Sequence, residues 1–164
     1  RCSNLGWYLE NFVVEKNGIW NSPYPLGKYE CIYVPSVCVF MKRDTGVAQT
    51  AFGYDVTFSL LPENEWYFVD VVVIAAVRHP QIPYSVSEKN LMSLKINAMF
   101  HLAVLYGKQS IVLGAFGCGV FKNPPLDVAK MFNEAFQKYK NSSLIVLYAI
   151  LGNANLSAFK KIIK

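Results

Sequence analysis

The chain has 164 residues, of which 53% are hydrophobic and 15% aromatic, and its formal net charge is +5. This length fits one domain of ordinary size, here residues 1–164, and the apolar content supplies a sizeable core, which excludes an intrinsically disordered chain. No uninterrupted apolar run approaches the ~18 residues of a membrane-spanning helix, so the composition predicts a soluble protein without a membrane partner.

In the first half of the chain, apolar spacing predicts one helix and two principal strands. The near-continuous β-branched run 68–77 is typical of a strand covered on both faces. The predicted elements, in chain order, are a helix over 3–14 that ends at Asn17-Gly18, a loop over 21–28, a strand over 31–41, a turn over 42–46, a segment 51–61 that is ambiguous between loop and strand, and a strand over 68–77.

Helix and strand signals alternate in the second half of the chain. Ser85 or Ser87 caps a helix that reaches residue 106, where Gly107 ends it, and Ser85 forms a capping box with Glu88. A strand over 110–113, a helix capped by Asn123 with Pro124 in its first turn, a strand over 144–151 and a last helix follow. The predicted buried stripes are Leu91, Leu94, Ala98, Leu102 and Leu105 on the first helix, Val128, Phe132, Ala135, Phe136 and Tyr139 on the second, and Leu156, Phe159 and Ile162 on the last.

This order of elements predicts a three-layer α/β sheet, in which ligands bind outside the carboxyl ends of the strands. The turn after strand 110–113 lies at that edge and contains three glycines within six residues, Gly114, Gly117 and Gly119. Between a strand and a helix, such a turn can direct backbone N–H groups at a phosphate or diphosphate, although a tight turn without a ligand has the same glycines. The spacing excludes a Rossmann fingerprint, a P-loop and a nucleophile elbow.

Charge and cysteine spacing limit the other candidate sites. The positive charge suits an anionic ligand, and the cluster Lys160, Lys161 and Lys164 is more typical of a solvated helix face than of a nucleic-acid surface. We therefore expect no direct sequence-specific nucleic-acid binding. The four cysteines have no C-x-x-C spacing, so no metal site and no cofactor is expected. Cys31 and Cys38 are interpreted as core residues of an intracellular protein, cytoplasmic or nuclear.

Other polar residues are weaker candidates. His79 follows a strand end and either lines the same cleft or is a simple loop histidine, and His101 is interpreted as a core or boundary residue. Asp70, Asp127 and Glu134 are interpreted as helix-end or surface groups, so they offer no carboxylate pair for a glycosidase.

The amino-acid sequence of the glycine segment resembles a known family signature. Residues 113–121 read Leu-Gly-Ala-Phe-Gly-Cys-Gly-Val-Phe and are followed by Asn123, Pro124 and Val128-Ala129. This sequence resembles the microbial-type poly(ADP-ribose) glycohydrolases of the macrodomain superfamily. Segments 1–5, 33–40 and 71–76 resemble other parts of that family in the same order, so the resemblance covers nearly the whole chain.

The resemblance implies a macrodomain-like α/β/α fold with a mixed sheet, and it implies ADP-ribose, free or on an ADP-ribosylated macromolecule, as the ligand. Gly117, Cys118, Gly119 and Val120 would wrap the diphosphate through backbone N–H groups. Phe121 would pack against the distal ribose. Asn123 would contact a ribose, cap the helix or do both.

One part of the family pattern is missing from the sequence. The family uses a Gly-Gly-Gly loop and a Gln-Glu-Glu triplet upstream of the residues that match Arg1, whereas this chain has no Gly-Gly and no Glu-Glu pair. Either an N-terminal portion with strands of the sheet is lacking here, or a natural protein lacks the catalytic half. In the first case a missing segment or a second chain would cover an exposed apolar sheet face.

Three functions follow as alternatives. The complete protein is an ADP-ribosyl glycohydrolase whose catalytic acids lie outside this chain, or the chain is a non-catalytic reader of ADP-ribose. In the third alternative, Cys118 is the nucleophile of a hydrolase, because a helix N-terminus can lower the pKa of a thiol.

Overall fold

A computed structural model describes residues 3–11, 14–16, 19–21, 25–43, 49–50, 53–54 and 58–163. The chain divides into two compact units, 1–74 and 75–164. The interpretation of residues 1–164 as a single domain stays a prediction. Within the described residues, none of the helices is long and apolar enough to cross a membrane, and no group of three or more His, Cys, Asp or Glu side chains could hold a metal ion.

The first unit is rich in antiparallel strand pairs. Its elements are α1 (Leu5–Asn11), β1 (Val14–Lys16), β2 (Ile19–Asn21), β3 (Cys31–Val39), β4 (Met41–Arg43), β5 (Gln49–Thr50), β6 (Gly53–Tyr54), β7 (Phe58–Leu60), a 3-10 turn (Glu63–Glu65) and β8 (Tyr67–Ile74). The main pair is β3 with β8, and its buried side chains Ile32, Val34 and Val37 pack against Leu5 and Tyr8 of α1.

The β3–β8 pair contains a bulge that Asp70 stabilises. The register shifts between Val34 and Val37, where Ser36 has a φ of 53°. The Asp70 carboxylate accepts a bond from the Ser36 N–H at 2.9 Å and another from the Tyr33 hydroxyl. The interpretation of Asp70 as a helix-end or surface group is therefore wrong, because this carboxylate satisfies the backbone where the strand ladder is interrupted.

Several sequence predictions for the first unit need correction. Val14 begins a strand instead of ending the predicted helix, residues 42 and 43 continue into β4 instead of forming a turn, and Asn21 ends β2. Cys38 is buried as predicted, but Cys31 is exposed. The predicted helix stop at Asn17-Gly18 and the rest of the predicted turn, 44–46, lie outside the described residues.

The second unit alternates helices with a parallel strand pair. Its elements are α2 (Val86–Leu105), β9 (Ser110–Leu113), α3 (Pro125–Tyr139), β10 (Ile145–Tyr148) and α4 (Asn153–Ile162). The pair β9–β10 is parallel, so α3 is the crossover that parallel pairing requires. Helices and strands together confirm the predicted α/β class, and in the described part of the chain the parallel and antiparallel pairs form separate two-stranded sheets.

The helices of this unit share an aromatic core. Phe132 of α3 lies 6.4 Å from Phe100 of α2 and 6.0 Å from Phe159 of α4, measured between ring centroids, and it meets Tyr148 of β10 edge-on at 5.8 Å. The predicted buried stripes of α3 and α4 are confirmed at Val128, Phe132, Ala135 and Phe159, which are at most 3% exposed. One face of the β9–β10 pair therefore lies against helices.

The opposite face of the β9–β10 pair is open. Val112, Ile145 and Leu147 are 64%, 60% and 52% exposed, whereas Leu113, which points to the other side of β9, is 5% exposed. An exposed apolar face in a parallel pair is unusual, since parallel strands are commonly covered on both sides.

Helix α2 begins as predicted but buries a different face. The Ser85 side chain accepts from the Glu88 N–H while the Glu88 carboxylate accepts from the Ser85 N–H, which confirms the capping box. Leu94 and Leu105 of the predicted stripe are 52% and 62% exposed, and His101 is exposed. The buried residues of α2 are Met92, Lys95, Ile96, Met99, Phe100 and Ala103.

Candidate functional site

The glycine turn joins β9 to α3 as two short hydrogen-bonded turns. The Cys118 N–H donates to the Ala115 carbonyl at 3.0 Å, and the Lys122 N–H donates to the Gly119 carbonyl at 3.0 Å. This turn, residues 114–122, therefore lies at the carboxyl end of β9, where the sequence predicts a ligand.

Gly117 occupies a position that no other residue can take without strain. Its φ is 72°, in the left-handed region. A Cβ on Gly117 would lie 2.5 Å from the Ala76 Cβ and 2.5 Å from the Asn123 side-chain nitrogen. Gly119 has no atom within 4 Å of the corresponding point. The first glycine is needed for close packing, and the second leaves open space at the surface of the turn.

Asn123 fixes the turn from inside. Its side chain is 1% exposed, and its Nδ2 donates to the Val77 carbonyl at 2.7 Å and to the Gly117 carbonyl at 3.0 Å. Its Oδ1 accepts from the Tyr84 hydroxyl at 2.7 Å. The backbone N–H of Asn123 also donates to the Gly117 carbonyl, at 3.1 Å.

The prediction that Asn123 caps α3 is wrong. The helix begins at Pro125 with Pro124 in the N-cap position, and no side chain caps it. The Asn123 amide is engaged with Gly117 and Val77 instead. A contact of Asn123 with a ribose stays a prediction.

A second contact ties the turn to the segment after β8. The His79 N–H donates to the Phe121 carbonyl at 2.9 Å, and His79 has a φ of 48°. Its ring is exposed. His79 therefore lies beside the turn through its backbone, which fits the loop-histidine interpretation.

The outer part of the turn faces solvent. Gly119 is exposed, Val120 is 80% exposed and Phe121 is half-buried. Within the part of the chain that the structure describes, the N–H groups of these three residues have no hydrogen-bond acceptor, whereas the N–H of Cys118 is bonded inside the turn. Three successive N–H groups can therefore receive an anion.

The Cys118 thiol is not activated. Burial raises the pKa of the Cys118 thiol to about 11, and its Sγ lies 3.7 Å from the Phe116 carbonyl. The neutral thiol is a poor nucleophile, because the thiolate is the reactive form.

Tyr84 was not singled out by the sequence, yet it belongs to the site. Burial raises the pKa of its phenol well above the usual range, and the charges of Cys118, Asp127 and Glu88 add to the shift. The hydroxyl therefore remains protonated and donates to Asn123. Of the predicted set, Gly117, Cys118, Gly119, Val120 and Phe121 lie in the turn, and Asn123 follows it directly and bonds to Gly117.

Comparison with known proteins identifies the fold. No protein-family model matches the sequence, and no curated protein matches it. The chain is similar to the crystal structure of poly(ADP-ribose) glycohydrolase from Deinococcus radiodurans in complex with ADP-ribose, with 25% identity over 80% of this chain and a TM-score of 0.60. It is also similar to the enzyme from Thermomonospora curvata, with 26% identity over 80% of this chain and a TM-score of 0.57.

These matches confirm the resemblance to microbial poly(ADP-ribose) glycohydrolases and their macrodomain-like α/β fold. The chain spans about half the length of the structures it matches, 51% of the Deinococcus chain and 46% of the Thermomonospora chain.

Proposed function

We propose that this chain forms the ADP-ribose-binding part of a macrodomain of the poly(ADP-ribose) glycohydrolase type, with the turn 114–122 as the diphosphate site. The observation that carries the proposal is the turn itself: it follows a parallel strand, is bonded to Asn123, and within the described residues leaves the N–H groups of Gly119, Val120 and Phe121 without an acceptor. The matched Deinococcus structure holds ADP-ribose, which supports the choice of ligand.

Each residue of the turn has a proposed part in binding. The N–H groups of Gly119, Val120 and Phe121 donate to the diphosphate oxygens, since charge-assisted bonds to an anion are stronger than neutral ones. The half-buried Phe121 ring packs against the distal ribose. Gly117 contributes the shape of the turn, because its φ of 72° turns the chain towards Asn123.

Hydrolysis of an ADP-ribosyl O-glycosidic bond is proposed for the whole protein and requires the Gln-Glu-Glu segment of the family. This chain contains no Glu-Glu pair, so binding without hydrolysis is the second candidate function. Release of ADP-ribose from poly(ADP-ribose) by the longer polypeptide would favour the first. Binding of the same polymer without release would favour the second.

The raised pKa of Cys118 argues against the thiol mechanism. A protein that hydrolyses through another group would keep its turnover after Cys118→Ala, and loss of turnover without loss of ligand binding would restore the thiol as a candidate.

The remaining partners are part of the proposal. An ADP-ribosylated macromolecule in the cytoplasm or nucleus would supply the ligand. A segment of the longer polypeptide, or a second chain, would cover the apolar β9–β10 face, where Val112, Ile145 and Leu147 are exposed.

Calorimetric titration of the chain with ADP-ribose tests the binding site. We expect micromolar affinity that Gly119→Glu weakens at least tenfold, because a carboxylate in the open space beside Gly119 would repel the diphosphate. Phe121→Ala should weaken binding by removing the ribose contact. Matched controls are Gln137→Glu at an exposed site of α3 and Phe68→Ala, where the ring is 67% exposed.

Equal affinity of the Gly119→Glu and Gln137→Glu variants would contradict the assignment of the turn. If the folded chain gives no heat with ADP-ribose, the titration is repeated with the longer polypeptide. Binding there would mean that further segments complete the site, and no binding would refute the ligand.

A further inference from the structure

We propose that Asn123 and Tyr84 are positioning residues of the diphosphate turn: neither touches the ligand, and together they fix the direction of the N–H groups of Gly119, Val120 and Phe121. This inference rests on the proposed function. It differs from the family-based expectation, in which Asn123 contacts a ribose or caps α3.

The environment of Asn123 leaves no room for a ligand contact by its amide nitrogen. Both Nδ2 hydrogens have acceptors, the carbonyls of Val77 at 2.7 Å and Gly117 at 3.0 Å. The side chain is 1% exposed. A ligand would have to displace a buried hydrogen bond before it could reach this amide, which would leave a buried carbonyl without its donor.

The carbonyls of Val77 and Gly117 set the orientation of that amide, and the Tyr84 hydroxyl satisfies its oxygen. The hydroxyl donates to Oδ1 at 2.7 Å, with Oδ1 facing the phenol and Nδ2 facing the two carbonyls. The reverse orientation would direct Oδ1 at the carbonyl oxygens of Val77 and Gly117, and three acceptors would face one another. The phenol keeps its proton across the physiological pH range, so it remains a donor for Oδ1 in the orientation that the two carbonyls select.

The Asn123 amide closes the segment between Gly117 and Asn123 and joins it to Val77. The Gly117 carbonyl accepts from the side chain and from the backbone of Asn123, so the chain closes on itself between these residues. The bond from Asn123 to Val77 and the bond from the His79 N–H to the Phe121 carbonyl join this loop to the segment 77–79. N–H groups that are already directed in the free protein bind an anion without a further ordering cost.

The test compares three variants of the full chain: Tyr84→Phe, Asn123→Asp and the control Tyr139→Phe. Tyr84→Phe removes one hydroxyl and keeps the ring, and we expect ADP-ribose to bind about three- to tenfold more weakly. Asn123→Asp replaces the double donor with acceptors and should weaken binding at least tenfold. Tyr139 stacks on Phe100 at the far end of α3, so its hydroxyl should not affect affinity.

Hydrogen exchange by NMR in the ligand-free protein separates positioning from global stability. We expect Tyr84→Phe to speed exchange of the His79 and Asn123 N–H groups about tenfold, since their acceptors are carbonyls of the turn. Exchange in the buried segment of α2 around Ile96 and Phe100 should stay as in the parent chain.

Three outcomes for Tyr84→Phe would overturn the inference. The exchange rates of the His79 and Asn123 N–H groups could stay unchanged, or the rates in α2 and in the turn could rise equally. The rates in the turn could also rise while the affinity for ADP-ribose stays unchanged. Failure of the parent chain and of the longer polypeptide to bind ADP-ribose would refute the proposed function instead. In that case the exchange data alone decide whether Asn123 and Tyr84 fix the turn.

Discussion

Burial governs the chemistry of Cys118, and this sets a pH dependence. The pKa of the thiol is raised from its ordinary value of 9.0 to about 11, so at pH 8 only about one molecule in a thousand carries the thiolate. Alkylation by iodoacetamide at pH 8 should therefore modify the exposed Cys31 well before Cys118. Peptide mass spectrometry after timed quenching measures both rates, and faster modification of Cys118 would contradict its burial.

The same shift affects stability. The neutral thiol is favoured in the folded protein, so its contribution is fully present below the unfolded pKa of about 9 and is lost as the pH rises through about 11. Urea unfolding should show a smaller loss of stability between pH 9 and pH 11 for Cys118→Ala than for the parent chain. Tyr84 and Tyr148, whose pKa values are also raised by burial, shift stability in the same direction as the pH rises above about 10.

At the same scale, the sequence identifies the glycine turn, and that its residues bind a ligand stays a prediction. The glycines and Asn123 were identified from their place between a strand and a helix, and in the structure Asn123 bonds to the Gly117 carbonyl. The capping role of Asn123 was wrong, although the sequence holds a signal against it: Pro125, two residues later, lacks one of the N–H groups that a capping side chain bonds. Tyr84 lies 39 positions from Asn123, and nothing local links them.

Helix packing in the second unit gives a prediction at the scale of the element. Phe132 is fully buried and contacts the rings of Phe100, Tyr148 and Phe159. Phe132→Ala should lower the free energy of unfolding by about 3–5 kcal/mol through lost burial and a cavity. Leu94→Ala, at a site 52% exposed, should cost under about 1 kcal/mol.

Chemical denaturation of both variants tests this difference. Similar losses for Phe132→Ala and Leu94→Ala would mean that α2 packs through the stripe predicted from the sequence.

Helix α2 illustrates what periodicity can and cannot predict. Its start, its capping box and its end at Gly107 follow from local chemistry and are confirmed. Its buried face does not follow, because α2 carries two apolar stripes. Leu94 and Leu105 lie on one, Ile96, Met99 and Ala103 on the other, and only tertiary packing selects between them. In α3 the polar face is continuous, so its buried face was predicted correctly.

At the scale of the whole molecule, the open face of the β9–β10 pair is testable. Val112→Thr and Leu147→Thr should each change the unfolding free energy of this chain by less than about 1 kcal/mol, since both side chains are more than half exposed. Leu113→Thr, on the covered face of the same strand, should cost distinctly more.

The same substitutions in a longer polypeptide measure whether that face is covered there. A larger cost for Val112→Thr and Leu147→Thr would indicate a covering segment, as the sequence predicts from the family pattern. Equal losses of unfolding free energy in both polypeptides would contradict a covering segment. The class of the fold was predictable because the strand and helix signals are strong and alternate. The segment that covers the open β9–β10 face cannot be predicted from the local sequence of these two strands.

The hydrogen bonds of Asn123 also decide whether the glycine segment keeps its conformation when it is moved into another protein. A synthetic peptide of residues 111–132 would contain every glycine of the turn, yet it would lack the Val77 carbonyl, the His79 N–H and the Tyr84 hydroxyl that hold the turn in place. Grafting the glycine segment onto another strand–helix junction would therefore transfer the signature without its geometry. A functional transplant must carry residues 75–84 together with 110–139.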